Sequence, residues 1–218
     1  MTVFLRGRAT SAGTPTLAIV ASNSQWSTGV PAITFPQILP DDRIILVGIS
    51  QHDVAANKTL TTPSGFTALV SHTSNPDYVC NQLVVTKTAV SGDEAIPFEF
   101  GGFCRRIDGI VVRGGGTIAG QAQAGVLGNN STVYEMASRV PAAGGLDLIS
   151  FVGSELESTV GATPSDYTAI ATVNSNYQTG GFYSRTSAPS PTGAVRLLSS
   201  SSGGSVSYTA VSINVAAS

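Results

Sequence analysis

Thr62-Pro63-Ser64-Gly65-Phe66-Thr67-Ala68-Leu69-Val70-Ser71-His72-Thr73-Ser74-Asn75 has a second version 101 residues later: Thr163-Pro164-Ser165-Asp166-Tyr167-Thr168-Ala169-Ile170-Ala171-Thr172-Val173-Asn174-Ser175-Asn176. Seven of the fourteen positions are identical, and Phe66/Tyr167, Leu69/Ile170 and Ser71/Thr172 are conservative pairs. Each version is a turn feeding a strand. Proline presets φ for the turn, serine can bond the local backbone, and Gly65 tolerates a positive φ. The aromatic that follows is expected to anchor the strand start in a core.

Working outward, the neighbours of the two stretches recur in the same order. An apolar strand ending in serine precedes each (Ile44 to Ser50, Leu148 to Ser154). A strand with one basic residue follows each (Lys87, Arg185), and an aliphatic strand closes each half (Ile110 to Val112, Val211 to Val215). The expectation is an internal duplication, with pseudo-repeats at about 16–115 and 132–217. The tract 114–131, with its Gly-Gly-Gly and Asn-Asn, reads as the loop between them. We expect residues 1–218 to form one β-sandwich domain whose halves share a core, with two tandem sandwiches as the alternative.

Helical periodicity is almost absent. Short segments rich in Val, Ile, Thr and aromatics recur between Gly, Pro, Ser and Asn, which is an all-β signature. Strands are predicted at 16–22, 32–35, 43–50, 67–73, 82–88, 96–100 and 107–113. In the second half they are predicted at 133–139, 146–153, 168–174, 181–186, 194–198 and 206–215. Phe98 and Phe100 should face one way and Glu99 the other. Residues 43–50 are apolar on both faces in the middle, as suits a central strand. The hydroxyl-rich 199–207 reads as a hairpin turn. The fold class expected is all-β: a jelly-roll-type antiparallel β-sandwich built from two pseudo-repeats.

Composition limits the partners. Hydrophobic residues make up 42% of the 218, charged residues only 11%, and the net charge is −2. Average soluble chains carry about 25% charged residues. Here 27 serines, 23 threonines and 24 glycines solubilise the surface instead. Scattered charges give no footprint for nucleic acid or an anionic membrane. The first residues lack a basic start followed by an apolar run, so no signal peptide is expected, and no aliphatic run reaches the ~20 residues of a membrane helix. Cys80 and Cys104 are arithmetically able to pair, but two cysteines are no disulfide framework, and buried reduced thiols from a cytoplasmic protein are the expectation.

Residues able to carry chemistry are few. His52 lies beside Asp53 in a polar loop, and His72 sits inside a predicted strand. Asp41-Asp42, Asp93-Glu94 and Glu155/Glu157 read as solvated turn charges rather than calcium ligands or a glycosidase pair. Arg105-Arg106 reads as a solvated strand start. No nucleophile elbow, P-loop or zinc-protease motif is present. No catalytic residue, cofactor or metal is expected. Carbohydrate would be bound by exposed aromatics. Trp26, the one tryptophan, and Tyr78 and Tyr177, each near asparagine, lie in predicted loops and are the possible glycan or interface contacts.

A longer chain of motifs spans the first half: Ile33-Thr34-Phe35-Pro36, Asp41-Asp42-Arg43-Ile44-Ile45-Leu46-Val47, Thr62-Pro63-Ser64-Gly65-Phe66-Thr67, Leu83-Val84-Val85-Thr86-Lys87, Gly92-Asp93-Glu94 and Asp108-Gly109-Ile110-Val111-Val112-Arg113-Gly114. The second half repeats it in weaker form. This resembles a group of β-sandwich proteins of tailed bacteriophages and prophages, virion structural and tail-fibre-like. Phe66 and Tyr167 stand where that group more often has tryptophan. The resemblance implies a non-enzymatic virion structural protein, either a capsid decoration or a head or tail fibre component. It would be assembled in the host cytoplasm and carried in the virion. Partners implied are other virion proteins and copies of itself, since low charge leaves sheet edges prone to pairing. The alternative is a receptor-binding module that takes a host surface glycan through its loop aromatics.

Overall fold

The computed structural model describes residues 16–27, 29–52, 59–73, 79–127, 133–141, 143–154, 159–175, 178–186, 194–200 and 206–218. In the first half the strands are β1 (Ala18–Trp26), β2 (Ala32–Ile33), β3 (Arg43–His52), β4 (Leu60–Thr61), β5 (Thr67–Thr73) and β6 (Val79–Thr88). A short 3-10 turn (Asp93–Ala95) follows, then β7 (Phe98–Glu99), β8 (Gly101–Gly102) and β9 (Arg106–Arg113). The second half holds β10 (Gly115–Leu127), β11 (Val133–Met136), β12 (Leu146–Ser154), β13 (Thr159–Val160), β14 (Thr168–Ser175), β15 (Gln178–Thr186), β16 (Val195–Ser200) and β17 (Val206–Ala217).

The long strands of each half form one five-stranded antiparallel sheet. The orders are β1-β9-β3-β6-β5 and β10-β17-β12-β15-β14, so strand for strand the two sheets have one topology. The short strands correspond as well. β2 pairs with β7 and β4 with β8 in the first half, as β11 and β13 flank β16 in the second. The quoted stretches occupy equivalent places. Phe66 N–H donates to Pro63 O and Tyr167 N–H to Pro164 O, at 3.2 and 3.1 Å. Proline therefore opens the turn rather than filling its second position. Gly65 and Asp166 both take positive φ, 79° and 67°. Asp166 can stand in for glycine because a short polar side chain tolerates that region. The strands that follow bulge at the same place, between Ala68 and Val70 and between Ala169 and Ala171.

The two sheets face each other across one apolar cluster. Ile45, Val47, Ile49, Val84, Ile110 and Val112 come from the first, and Leu148, Val152, Phe182, Val211, Ile213 and Val215 from the second. Each sheet also has a buried outer face. On the first, Ile33, Phe35, Phe98 and Phe100 cover Ile44, Leu46, Val85 and Val111. On the second, Tyr134, Met136 and Val195 cover Ile149, Phe151, Tyr183 and Ala210. This explains why β3 is apolar on both faces: alternate residues serve the shared core and the outer one. Phe98 and Phe100 are buried and Glu99 is exposed, as the alternation predicts.

Three expectations change. A jelly roll passes its chain between two facing sheets, whereas each facing sheet here takes all five strands from one half. Passage between layers occurs within a half, between the large sheet and its small outer strands. The tract 114–131 is not simply a connecting loop, because 115–127 form β10, so the second half begins earlier than residue 132. Its small residues serve close packing. A Cβ at Gly120 would lie 3.1 Å from Val70 Cγ1 and 3.2 Å from Leu69, on the neighbouring edge strand β5. The strands on either side of the hairpin expected at 199–207 do not pair with each other either: β16 belongs to the outer sheet and β17 to the sandwich, and residues 201–205 lie outside the described residues.

Candidate functional site

Four buried carboxylates dominate the charge chemistry. The densest cluster lies on the outer face of the second sheet. Asp147, on β12, is fully buried and Arg139 is 2% exposed. Arg139 donates to Asp147 Oδ1 (2.7 Å) and Oδ2 (2.9 Å), and Arg185, on β15, donates from Nε to Oδ2 (3.2 Å). Tyr167 Oη donates to Oδ2 as well (2.5 Å) and accepts from Arg139 (2.8 Å). The Arg185 guanidinium sits 4.8 Å from the Tyr167 ring centre. Burial pushes the Tyr167 phenol up, and its bond to Asp147 adds to that. The arrangement ties β12, β15, the turn before β14 and the 137–141 segment together.

The first half repeats the plan with fewer charges. Lys87, equivalent to Arg185, stands 5.9 Å from the Phe66 ring centre and 6.0 Å from that of Phe98. Its Nζ donates to Asp93 Oδ1 at 2.6 Å. Asp93 is 1% exposed and also accepts from Val90 N (2.9 Å), which pins the loop after β6. Asp42 binds Arg113 through two bonds of 2.9 Å and accepts from Leu39 N. Asp42 and Asp93 are therefore not solvated turn charges but buried clamps. Arg106 is likewise no solvated strand start: it is 0% exposed and bonds Asp108 Oδ1 at 2.8 Å.

Of the proposed contact aromatics, Trp26 is described and Tyr78 and Tyr177 lie outside the described residues. Trp26 ends β1, pairs with Arg106 on β9 and is 47% exposed. Just beyond it, Ser27 N donates to Arg105 O, and the Arg105 guanidinium lies 4.0 Å from the Phe103 ring centre. Elsewhere on β1 an open groove is lined by Ile19 to Asn23 on one side and Thr34 to Gln37 on the other. Asn23 Nδ2 crosses it to Thr34 O (3.1 Å).

The remaining candidates are spread apart. His72 lies on the edge strand β5, and burial lowers its pKa. Cys104 is a free buried thiol, its pKa raised to about 11 by burial, with Arg106 O 3.1 Å from its sulfur. The side chains of His52 and Cys80, and Asp53, Glu155 and Glu157, lie outside the description. Among the described residues no group of His, Cys, Asp and Glu is arranged to hold a metal ion, and no helix is long and apolar enough to cross a membrane.

Sequence reasoning passed over Asp108, Arg139 and Asp147. The available signal was a lone aspartate inside an apolar strand, at Ile107-Asp108-Gly109-Ile110 and Leu146-Asp147-Leu148-Ile149. Such a residue is seldom buried without a cation. Comparison with protein-family models, curated proteins and solved structures finds no match.

Proposed function

We propose that this chain is a non-enzymatic structural component of a tailed-phage particle, a capsid decoration or part of a head or tail fibre. The observation that carries the reading is the work given to its carboxylates. Asp42, Asp93 and Asp147 are 2%, 1% and 0% exposed, and each ties a covering segment to a sheet through an arginine or lysine. A general acid or base has to reach a substrate. These groups reach only the protein, and what they supply is rigidity. The motif chain of the first half supports the same reading, as does a surface rich in hydroxyls and poor in charge, which can be buried without desolvating ions. Leu39, Val90 and Ile96, 53%, 55% and 49% exposed on the loops before β3 and after β6, are apolar points for contact with other virion proteins or further copies.

Peptide mass spectrometry on gradient-purified particles, scaled to the major capsid protein, tests this. Many copies per particle identify a decoration protein, a handful place it on a tail or fibre, and absence from particles refutes the proposal.

Receptor binding is the second reading, favoured by the exposure of Trp26 at the end of β1. Alanine at Trp26, Tyr78 and Tyr177, followed by binding to host surface glycans, separates the two. Loss of glycan binding with the fold intact supports a receptor module, and unchanged particle association with no glycan binding by the parent supports a purely structural role.

A further inference from the structure

The space between the two five-stranded sheets is apolar over most of its length and polar toward the end where Trp26 stands. Arg106, Ile49 and Gln82 form one cross-strand row on the first sheet. Thr209, Val152 and Gly180 form a row on the second. Gln82 links the rows: its Nε2 donates to Thr209 Oγ1 (2.8 Å) and Thr209 O (3.0 Å). Two residues along β9, Asp108 Oδ1 accepts from Arg106 Nε (2.8 Å) and from Ser24 Oγ (2.6 Å).

This polar row is half finished. Arg106 is 0% exposed, yet neither of its terminal nitrogens has a protein acceptor within hydrogen-bonding distance. On the same inner face Gln82 Oε1 and Asp108 Oδ2 are buried and lack protein partners too, as does Ser150 Oγ on the sheet opposite. A guanidinium taken out of water with most of its N–H groups unmet is destabilising, and so is a carboxylate oxygen left bare. Donors and acceptors left over side by side call for a molecule that both accepts and donates.

We propose that a small cluster of ordered water molecules is bound between the two halves at Arg106. It accepts from both terminal nitrogens and donates to Asp108 Oδ2 and Gln82 Oε1. Charge selects water over an anion. Arg106 is already met by Asp108. An added anion would leave an uncompensated buried negative charge, whereas water fits a neutral set of mixed donors and acceptors. Globular proteins hold about one such water per 27 residues, usually with about three hydrogen bonds each.

High-resolution crystallography of the full chain, from crystals soaked in bromide, tests the proposal. The expected result is well-ordered water within hydrogen-bonding reach of both terminal nitrogens of Arg106 and no anomalous bromide signal there. A bromide peak at the guanidinium overturns it, and so do direct bonds from both terminal nitrogens to protein acceptors. Heteronuclear NMR of the same chain should show cross-relaxation between the Arg106 guanidinium protons and long-lived water. Arg106→Met should lose these waters, and their persistence unchanged in that variant would also overturn the assignment.

Discussion

Lys87 and Arg185 hold the same position in the two halves, each on the fourth long strand and each over the aromatic ring that opens the third. Around them the chemistry diverges. Lys87 meets Phe66, Phe98 and one carboxylate on a loop. Arg185 meets Tyr167 and a carboxylate on the sheet itself, which a second arginine also grips. The outer cluster of the first half holds Phe35, Phe98 and Phe100, and that of the second holds Tyr134, Tyr167, Tyr183 and Tyr208. One backbone plan thus tolerates an aromatic hydrocarbon cover in one copy and a hydroxyl-and-charge cover in the other. The turn, the bulge and the inner face are shared by the two halves, and the outer face is where they differ.

The sharpest way to break this comparison is to remove the central carboxylate of each half. Asp147→Asn leaves Arg139 and Arg185 facing a neutral amide, and should cost about 3–5 kcal/mol of unfolding free energy. Asp93→Asn should cost less, about 1–2 kcal/mol, because Lys87, 19% exposed, can turn to water. Equal losses in urea titrations of the two variants would show that the halves do not differ in this way.

Exchanging the aromatics comes next. Tyr167→Phe deletes a hydroxyl that donates to Asp147 and accepts from Arg139, and should destabilise by about 1.5–3 kcal/mol. Phe66→Tyr in the first half should be nearly neutral, within about 0.5 kcal/mol. A stabilising Tyr167→Phe would mean that the polar cover is an encumbrance.

Alkali should then act chiefly on the second half. Burial pushes the Tyr183 phenol up to about 12 and raises Tyr167 and Tyr208 as well. Phenols of the unfolded chain ionise near pH 10, so unfolding takes up hydroxide above that point. Stability contributed by Tyr183 is full below pH 10 and is lost as pH rises through about 12. The first half adds Cys104, whose contribution fades between pH 9 and about 11. The urea midpoint should fall over this range, and Tyr183→Phe should flatten the fall above pH 10. The smallest effect is expected from Trp26→Ala, within about 0.5 kcal/mol, because the side chain is 47% exposed. That near-silence is what makes the variant usable in binding assays.

The duplication was legible because the Thr-Pro-Ser turn and the strand after it answer to local rules. A positive φ at the third turn position and an aromatic at the strand start leave marks in sequence. β10 was missed because it is an edge strand of glycine, alanine and glutamine. Its membership is set by pairing with β17, far along the chain, a tertiary fact. β4, β8 and β13 have two residues each, too few to show a period. The buried ion pairs were hidden for a similar reason. Asp42 looks like any turn aspartate until Arg113, 71 residues away, folds onto it. Of the contact aromatics, Trp26 stands at the end of β1, and Tyr78 and Tyr177 lie outside the described residues.

All four sheet edges, β1, β5, β10 and β14, pair irregularly with their inner neighbours, while the inner pairings run without a register shift. One inner strand of the second sheet is β17, held between β10 and β12 and supplying Val211, Ile213 and Val215 to the shared core. For a chain emerging from a ribosome this sets an order of events. The first sheet has all its strands once residue 113 is out, but the sheet that covers its inner face lacks β17, with Val211, Ile213 and Val215, until residues 206–217 have been translated. During that interval part of an apolar face stands open, and a chaperone or a second nascent chain can meet it before its own other half does.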